Sequence, residues 1–156
     1  MNFFVLPNQI TTLFLSLNLL TTMSFNDDIR SFIYGGNKEE VFLEVSNNNK
    51  TLVMKAKKKD INTNMLVVTN KNKYYFHVKL DESTPHQFIE INDGEINSAF
   101  KKVIEKDTYE ILQGTSSLLI VNKTKNPVTV NGIKVISKDY FSLGVPIILN
   151  GERILN

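Results

Sequence analysis

The chain has no cysteine, no tryptophan and only two histidines among its 156 residues. Without cysteine there is no disulfide, no thiol nucleophile and no thiolate metal site. A zinc centre asks for three or four converging ligands. His77 and His86 would have to recruit carboxylates such as Asp81 or Glu82, and the spacing does not bring these together. The seven glycines, at 35, 36, 94, 114, 132, 144 and 151, never gather into a phosphate-cradling loop between a strand and a helix. Ser116 and Ser117 have no neighbouring base and no nucleophile-elbow pattern. The expectation is a non-enzymatic protein with no catalytic residue, no cofactor, no metal and no small-molecule substrate.

Charge of one sign is also scarce, the formal balance being +2. The basic residues cluster only at Lys55, Lys57, Lys58 and Lys59, which read as a solubilising edge beside a strand. Phosphate recognition needs a basic face that follows a nucleic-acid backbone, so nucleic acid is the least favoured partner. A hydrophobic share of 42% and a charged share of 22% lie near the globular averages and predict a folded chain. At this length it makes one domain or two very small β units. The abundance of Asn, Lys and Ile suggests an AT-rich, bacterial source.

What the sequence does contain is a succession of β-branched and aromatic runs separated by Asn- or Gly-containing turns, an antiparallel β signature. Val41–Val45 and Thr51–Ala56 flank Asn47-Asn48-Asn49-Lys50. Met65–Thr69 leads through Asn70-Lys71-Asn72 into Lys73–Leu80. In that last run Tyr74, Phe76, Val78 and Leu80 fall on one face, and Tyr75, His77 and Lys79 on the other. At least one of the three successive aromatics Tyr74, Tyr75 and Phe76 must therefore point away from the core, where it can anchor a partner. Asn131-Gly132 joins Val128–Val130 to Ile133–Ile136, and Asn150-Gly151 joins Ile147–Leu149 to Glu152–Leu155. Both dipeptides suit the positive φ of a type I′ turn.

Two segments break the pattern. Residues 1–24 hold Phe3–Leu6 and all but the last residue of a long apolar stretch from Ile10 to Phe25. They read as an export signal or apolar N-terminal segment, with a buried amphipathic helix or a true start at Met23 as alternatives. Glu95 to Lys106 places Ile96, Ala99, Phe100, Val103 and Ile104 at helical spacings, after an Asp93-Gly94 turn and with Asn97 or Ser98 as cap. A strand bordering a turn is the other reading. The organisation expected is an N-terminal β domain over 25–92, a linker or short helix over 93–106 and a C-terminal β domain over 107–156. The fold class is all-β, antiparallel and sandwich-like.

The stretch from Val41 to Val78, with Thr63, Asn64, Val67, Thr69, Tyr74 and Phe76, resembles the signature of the CagX, TrbG and TraK group. These are outer-membrane core-complex subunits of type IV secretion and conjugation systems. Leu118–Asn122, Asn126–Val130 and Tyr140–Pro146 are similar in rhythm to that group's C-terminal β domain. The resemblance implies two β-sandwich-like domains, a periplasmic or outer-membrane-associated location, and assembly with other secretion-complex subunits into a homo-oligomeric ring. Three departures stand out: the mature chain would be shorter than the family norm, the region before Val41 shows no early strands, and the signal is poor. Two further readings compete. One is a free-standing β-sandwich binding module, adhesin-like or chaperone-like, that accepts a partner strand. The other is a single-strand nucleic-acid binder using Lys55, Lys57–Lys59 and Tyr74–Phe76.

Overall fold

The structure is a computed structural model that describes residues 1–97 and 99–156. Its described residues form seventeen strands and no helix. The chain divides into two compact units, one of Met1–Asn2 with Ile10–Asn92, the other of Phe3–Gln9 with Asp93–Asn156.

The first unit holds β1 (Asn2–Val5) at its start only, then β2 (Ile10–Leu15), β3 (Thr21–Ser24), β4 (Ile29–Tyr34), β5 (Val41–Val45), β6 (Thr51–Ala56), β7 (Asn62–Thr69), β8 (Lys73–Leu80) and β9 (Phe88–Asp93). One sheet runs β9-β3-β6-β5, and a second runs β2-β8-β7-β4. Period-two burial decides which side chains meet between the sheets. Met23, Leu52, Met54, Ile89 and Ile91 face inward from the first sheet, and Leu13, Leu15, Val67, Phe76 and Val78 from the second. The rings of Phe25 and Tyr74 tilt against each other at 5.3 Å. Most pairings are antiparallel, as the hairpin pattern predicts. The pairings of β2 with β8 and of β3 with β9 are parallel, and both are supplied by the N-terminal segment.

That segment departs from the sequence reading. The apolar stretch of residues 1–24 is neither a helix nor a region set apart from the domains, because it forms β1, β2 and β3. Phe3, Leu13, Leu15 and Met23 within it have no exposed surface. The early strands that the sequence shows no sign of before Val41 are therefore present, four of them.

The second unit holds the remainder of β1, then β10 (Lys101–Glu105), β11 (Tyr109–Gln113), β12 (Ser117–Asn122), β13 (Val128–Val130), β14 (Ile133–Val135), β15 (Lys138–Ser142), β16 (Ile147–Leu149) and β17 (Glu152–Leu155). Its sheets run β10-β11-β12-β15 and β14-β13-β16-β17. Ile111, Leu118, Ile120, Val130, Val135, Phe141 and Ile147 fill its core. Phe4 exchanges two backbone hydrogen bonds with Leu143, at 2.8 and 3.0 Å. The buried Asn122 amide donates to the Asn126 carbonyl at 2.8 Å and the Ile136 carbonyl at 3.0 Å. Those bonds satisfy polar groups that burial would otherwise leave costly.

The helix expected over Glu95 to Lys106 is not formed. Lys101–Glu105 is the edge strand β10, paired antiparallel with β11, which agrees with the alternative strand reading. The helical spacing had no face to bury: Ile96 and Val103 are more than half exposed. Of the two suggested caps, Asn97 sits in no helix and Ser98 lies outside the described residues. Gly94 is required for close approach, since a Cβ there would lie 2.7 Å from the Ser116 carbonyl oxygen.

Both Asn-Gly turns form as read. Val130 pairs with Ile133 around Asn131 (φ 49°) and Gly132 (φ 80°), and Leu149 with Glu152 around Asn150 and Gly151. A Cβ at Gly132 would meet nothing within 4 Å, so any penalty there is one of backbone conformation alone. Gly132→Val is expected to destabilise the protein by about 1–3 kcal/mol, the cost of a β-branched residue at positive φ. Gly132→Asn should lose clearly less, because Asn tolerates this region. Urea denaturation of the two variants checks both the size and the order.

Candidate interaction surface

The residues singled out by the family resemblance sit together on the β7–β8 hairpin. Val67 lies directly opposite Tyr74, and Phe76 opposite Met65. Val67, Thr69, Tyr74 and Phe76 are buried, Thr63 is half-buried and Asn64 is exposed. Thr63 and Asn64, whose side chains could have closed a turn through backbone hydrogen bonds, do not do so. They pair with Val78 and His77 inside β7, and the chain bends earlier, at Asp60 (φ 62°). It is Thr69 that closes the turn: its N–H donates to the Asn72 carbonyl at 2.9 Å, and its hydroxyl accepts from the Asn72 N–H at 3.1 Å. Four of the six residues are thus core and turn positions with little side chain to offer a partner.

The three aromatics separate as the alternation predicts. Tyr75 is 41% exposed while Tyr74 and Phe76 are buried, which leaves one ring rather than a stacking platform beside the exposed Lys57, Lys58 and Lys59. His77 is half-buried on the outer side, its Nε2 hydrogen-bonded to the Asn62 side chain. Burial and then the charge of Lys79 push its pKa down. Among the described residues no group of three His, Asp or Glu side chains lies placed to hold a metal ion.

Asp81, which follows β8, is a turn former. Its carboxylate accepts the Ser83 hydroxyl at 2.7 Å and the Ser83 and Thr84 N–H groups at 3.0 and 3.2 Å. The Ser83 hydroxyl first, with help from those N–H groups and the Thr84 hydroxyl, holds its pKa down to about 2 from 3.8 against the opposing effect of burial. The folded chain thus prefers the charged carboxylate. Its contribution is present above pH 3.8 and is lost as the pH falls through about 2. Asp81→Asn should lower the urea midpoint near neutral pH, and the gap from the parent should close across that acid window.

Tyr75 belongs to a larger feature. Ile10 on β2 pairs with Tyr75 on β8, Tyr75 with Leu66 on β7, and Leu66 with Ile33 on β4. These four side chains form one row across the whole second sheet, on the face away from the core. Ile10 is 51% exposed and Ile33 62%. The row borders a hollow of about 270 Å³ that Asn64 and Leu66 also line.

Ile33 is at the same time one wall of a larger groove, of about 510 Å³, between β4 and β5. Phe32 and Tyr34 line it from β4, Phe42 and Leu43 from β5, and Lys38 and Lys57 from outside the two strands. Each strand is the last of its sheet, so each carries backbone groups with no ladder partner on one side. Across the Gly35–Glu40 loop the Tyr34 hydroxyl donates to the Glu40 carboxylate at 2.9 Å. Burial, then this bond and the Glu40 charge, push the phenol pKa up.

The second unit treats its edge differently. On β10, Lys102 lies within 3.4 Å of Glu105 and 3.3 Å of Glu110, and Lys123 completes the network at 3.7 and 3.9 Å. A row of charges is how a sheet edge is kept from pairing with another chain. Between β4 and β5 the groove lining is mainly apolar, and the charged residues of the two strands, Arg30 and Glu44, stand outside it.

The sequence reading missed this groove. A signal for β4 exists, since Ile29–Tyr34 is a β-rich run bounded by Asp27-Asp28 and Gly35-Gly36. That its neighbour across the groove would be β5 is set by the folding of two sheets and by no local pattern.

Fold and surface together define an all-β protein in which the β10 edge carries a charge network and the β4 and β5 edges flank an apolar groove. No protein-family model matches the chain, and no curated protein is significantly similar to it.

Proposed function

We propose that the protein acts by protein–protein contact, as a β module that receives a partner on the open edges of β4 and β5. The observation that carries this reading is the apolar groove between two unpaired edge strands, set against the charge-guarded edge of β10. Exposed strand edges recruit extended segments through main-chain hydrogen bonds, with alternate side chains seated in adjoining pockets. A photo-crosslinking residue at Phe42, with a second at Lys125 as control, tests it in the native host. Specific cross-linked bands from position 42 alone are expected. Absence of any band at 42, or equal bands at both, overturns the reading.

A narrower form is membership of a type IV secretion or conjugation envelope complex, as a ring subunit in the periplasm or at the outer membrane. It is supported by the resemblance of Thr63, Asn64, Val67, Thr69, Tyr74 and Phe76. Fractionation of the host and pull-down of the tagged protein from membranes test it. Recovery as a cytosolic monomer would remove it.

A further inference from the structure

Resting on the proposed binding role, we infer that the β4–β5 groove takes an extended, acidic segment of another protein, which adds as a strand to the free edge of β5. Three observations select this occupant. The groove's ionisable lining besides Tyr34 is Lys38 and Lys57, and no carboxylate lines it. Among the described residues neither ammonium has a carboxylate within ion-pairing distance. The nearby Glu40 carboxylate is engaged by the Tyr34 hydroxyl.

Lys55 adds to the positive side, because it stands opposite Phe42 in the β5–β6 ladder. Lys57 follows on the same face, where its N–H donates to the Glu40 carbonyl at 2.7 Å. The groove thus offers apolar walls from Phe32, Ile33, Phe42 and Leu43 beside a cluster of cations.

Of the two edges β5 is the freer. The β4 side is already used at its beginning, where the Ile29 N–H donates to the Asn49 carbonyl at 2.7 Å. The five residues of β5 set the length of segment that the ladder can hold. A strand places alternate side chains on opposite faces. The fitting sequence therefore alternates apolar residues, on the Leu43 side of the strand, with Asp or Glu on the Phe42 side, directed at Lys38, Lys55 and Lys57. Unpaired cations on an exposed rim select the sign of the partner and speed its approach.

The test uses the full chain as bait for a phage-displayed library of random twelve-residue peptides, and the selected peptides are then synthesised. Peptides alternating apolar residues with Asp or Glu are expected. Their affinity should fall about tenfold or more with the pair Lys38→Glu and Lys57→Glu, and stay unchanged with Lys125→Glu. N-methylation of alternate peptide amides should abolish binding in one of the two phases, the mark of strand pairing rather than apolar contact alone. Circular dichroism of the double variant establishes that it is folded.

Selection of basic or helix-patterned peptides, binding indifferent to either N-methyl phase, no selected peptide, or a self-dimer that the peptides cannot displace overturns the inference. If cross-links from position 42 still form in the host, the proposed function stands and only the acidic-strand occupant falls. If they fail too, both fall.

Discussion

A chain shortened to begin at Met23 is expected not to fold. The shortened protein would lose β2, whose six residues pair in parallel with β8 from Ile10 opposite Tyr75 to Leu15 opposite Leu80. Leu13 and Leu15 are fully buried there and Phe14 nearly so. It would also lose Phe3–Gln9 from the other unit, where Phe3, Val5 and Leu6 are buried and the Leu6 N–H donates to the Ser142 hydroxyl at 2.9 Å. Burying an aliphatic or aromatic side chain is worth about 1.5–3 kcal/mol. Six such residues together reach roughly 10 kcal/mol, which matches the whole stability of an ordinary domain at about 5–15 kcal/mol. Thermal unfolding followed by circular dichroism decides the matter. A cooperative transition close to that of the full chain would show that these strands are dispensable.

The same segment shows where local pattern stops being informative. The hairpins β5–β6, β7–β8, β13–β14 and β16–β17 were legible because each is closed by a short Asn-containing turn and has one face buried, so alternation and turn chemistry agree. In β2 every residue after Ile10 is buried. Such a strand has no alternation to read, and a continuous apolar run is shared by central strands and export signals alike. Its partner β8 lies more than fifty residues away in sequence, a parallel pairing that no turn announces. β10 failed for the opposite reason. It is an exposed edge, so its apolar residues were free to fall at helical spacing without any helix to stabilise.

The groove was illegible for a third reason. Ile33 and Phe42 look in the sequence like any other strand residues, and what makes them available is that β4 and β5 end their sheets. Edge position belongs to topology rather than to any local pattern. Tyr75 could be named from the alternation alone, because two of three successive aromatics had to share the buried face.

Phe76→Ala is expected to cost about 3–5 kcal/mol, the usual loss on truncating a buried aromatic ring. Phe76 is 1% exposed at the centre of β8, opposite Thr11 on one side and Met65 on the other, so a cavity there is enclosed by strands that cannot close over it independently. Tyr75→Ala, one residue away on the outer face, removes a ring already 41% exposed and should change stability by well under half as much. Urea denaturation measures the pair. The comparison also bears on the resemblance, in which Tyr74 and Phe76 are prominent. If these residues act through packing, Phe76→Ala loses partner binding only in step with the folded fraction, whereas Phe42→Asp abolishes binding while leaving the urea midpoint near the parent value. Binding lost by Phe76→Ala under conditions where that variant remains folded would instead place the β7–β8 hairpin itself in the interface.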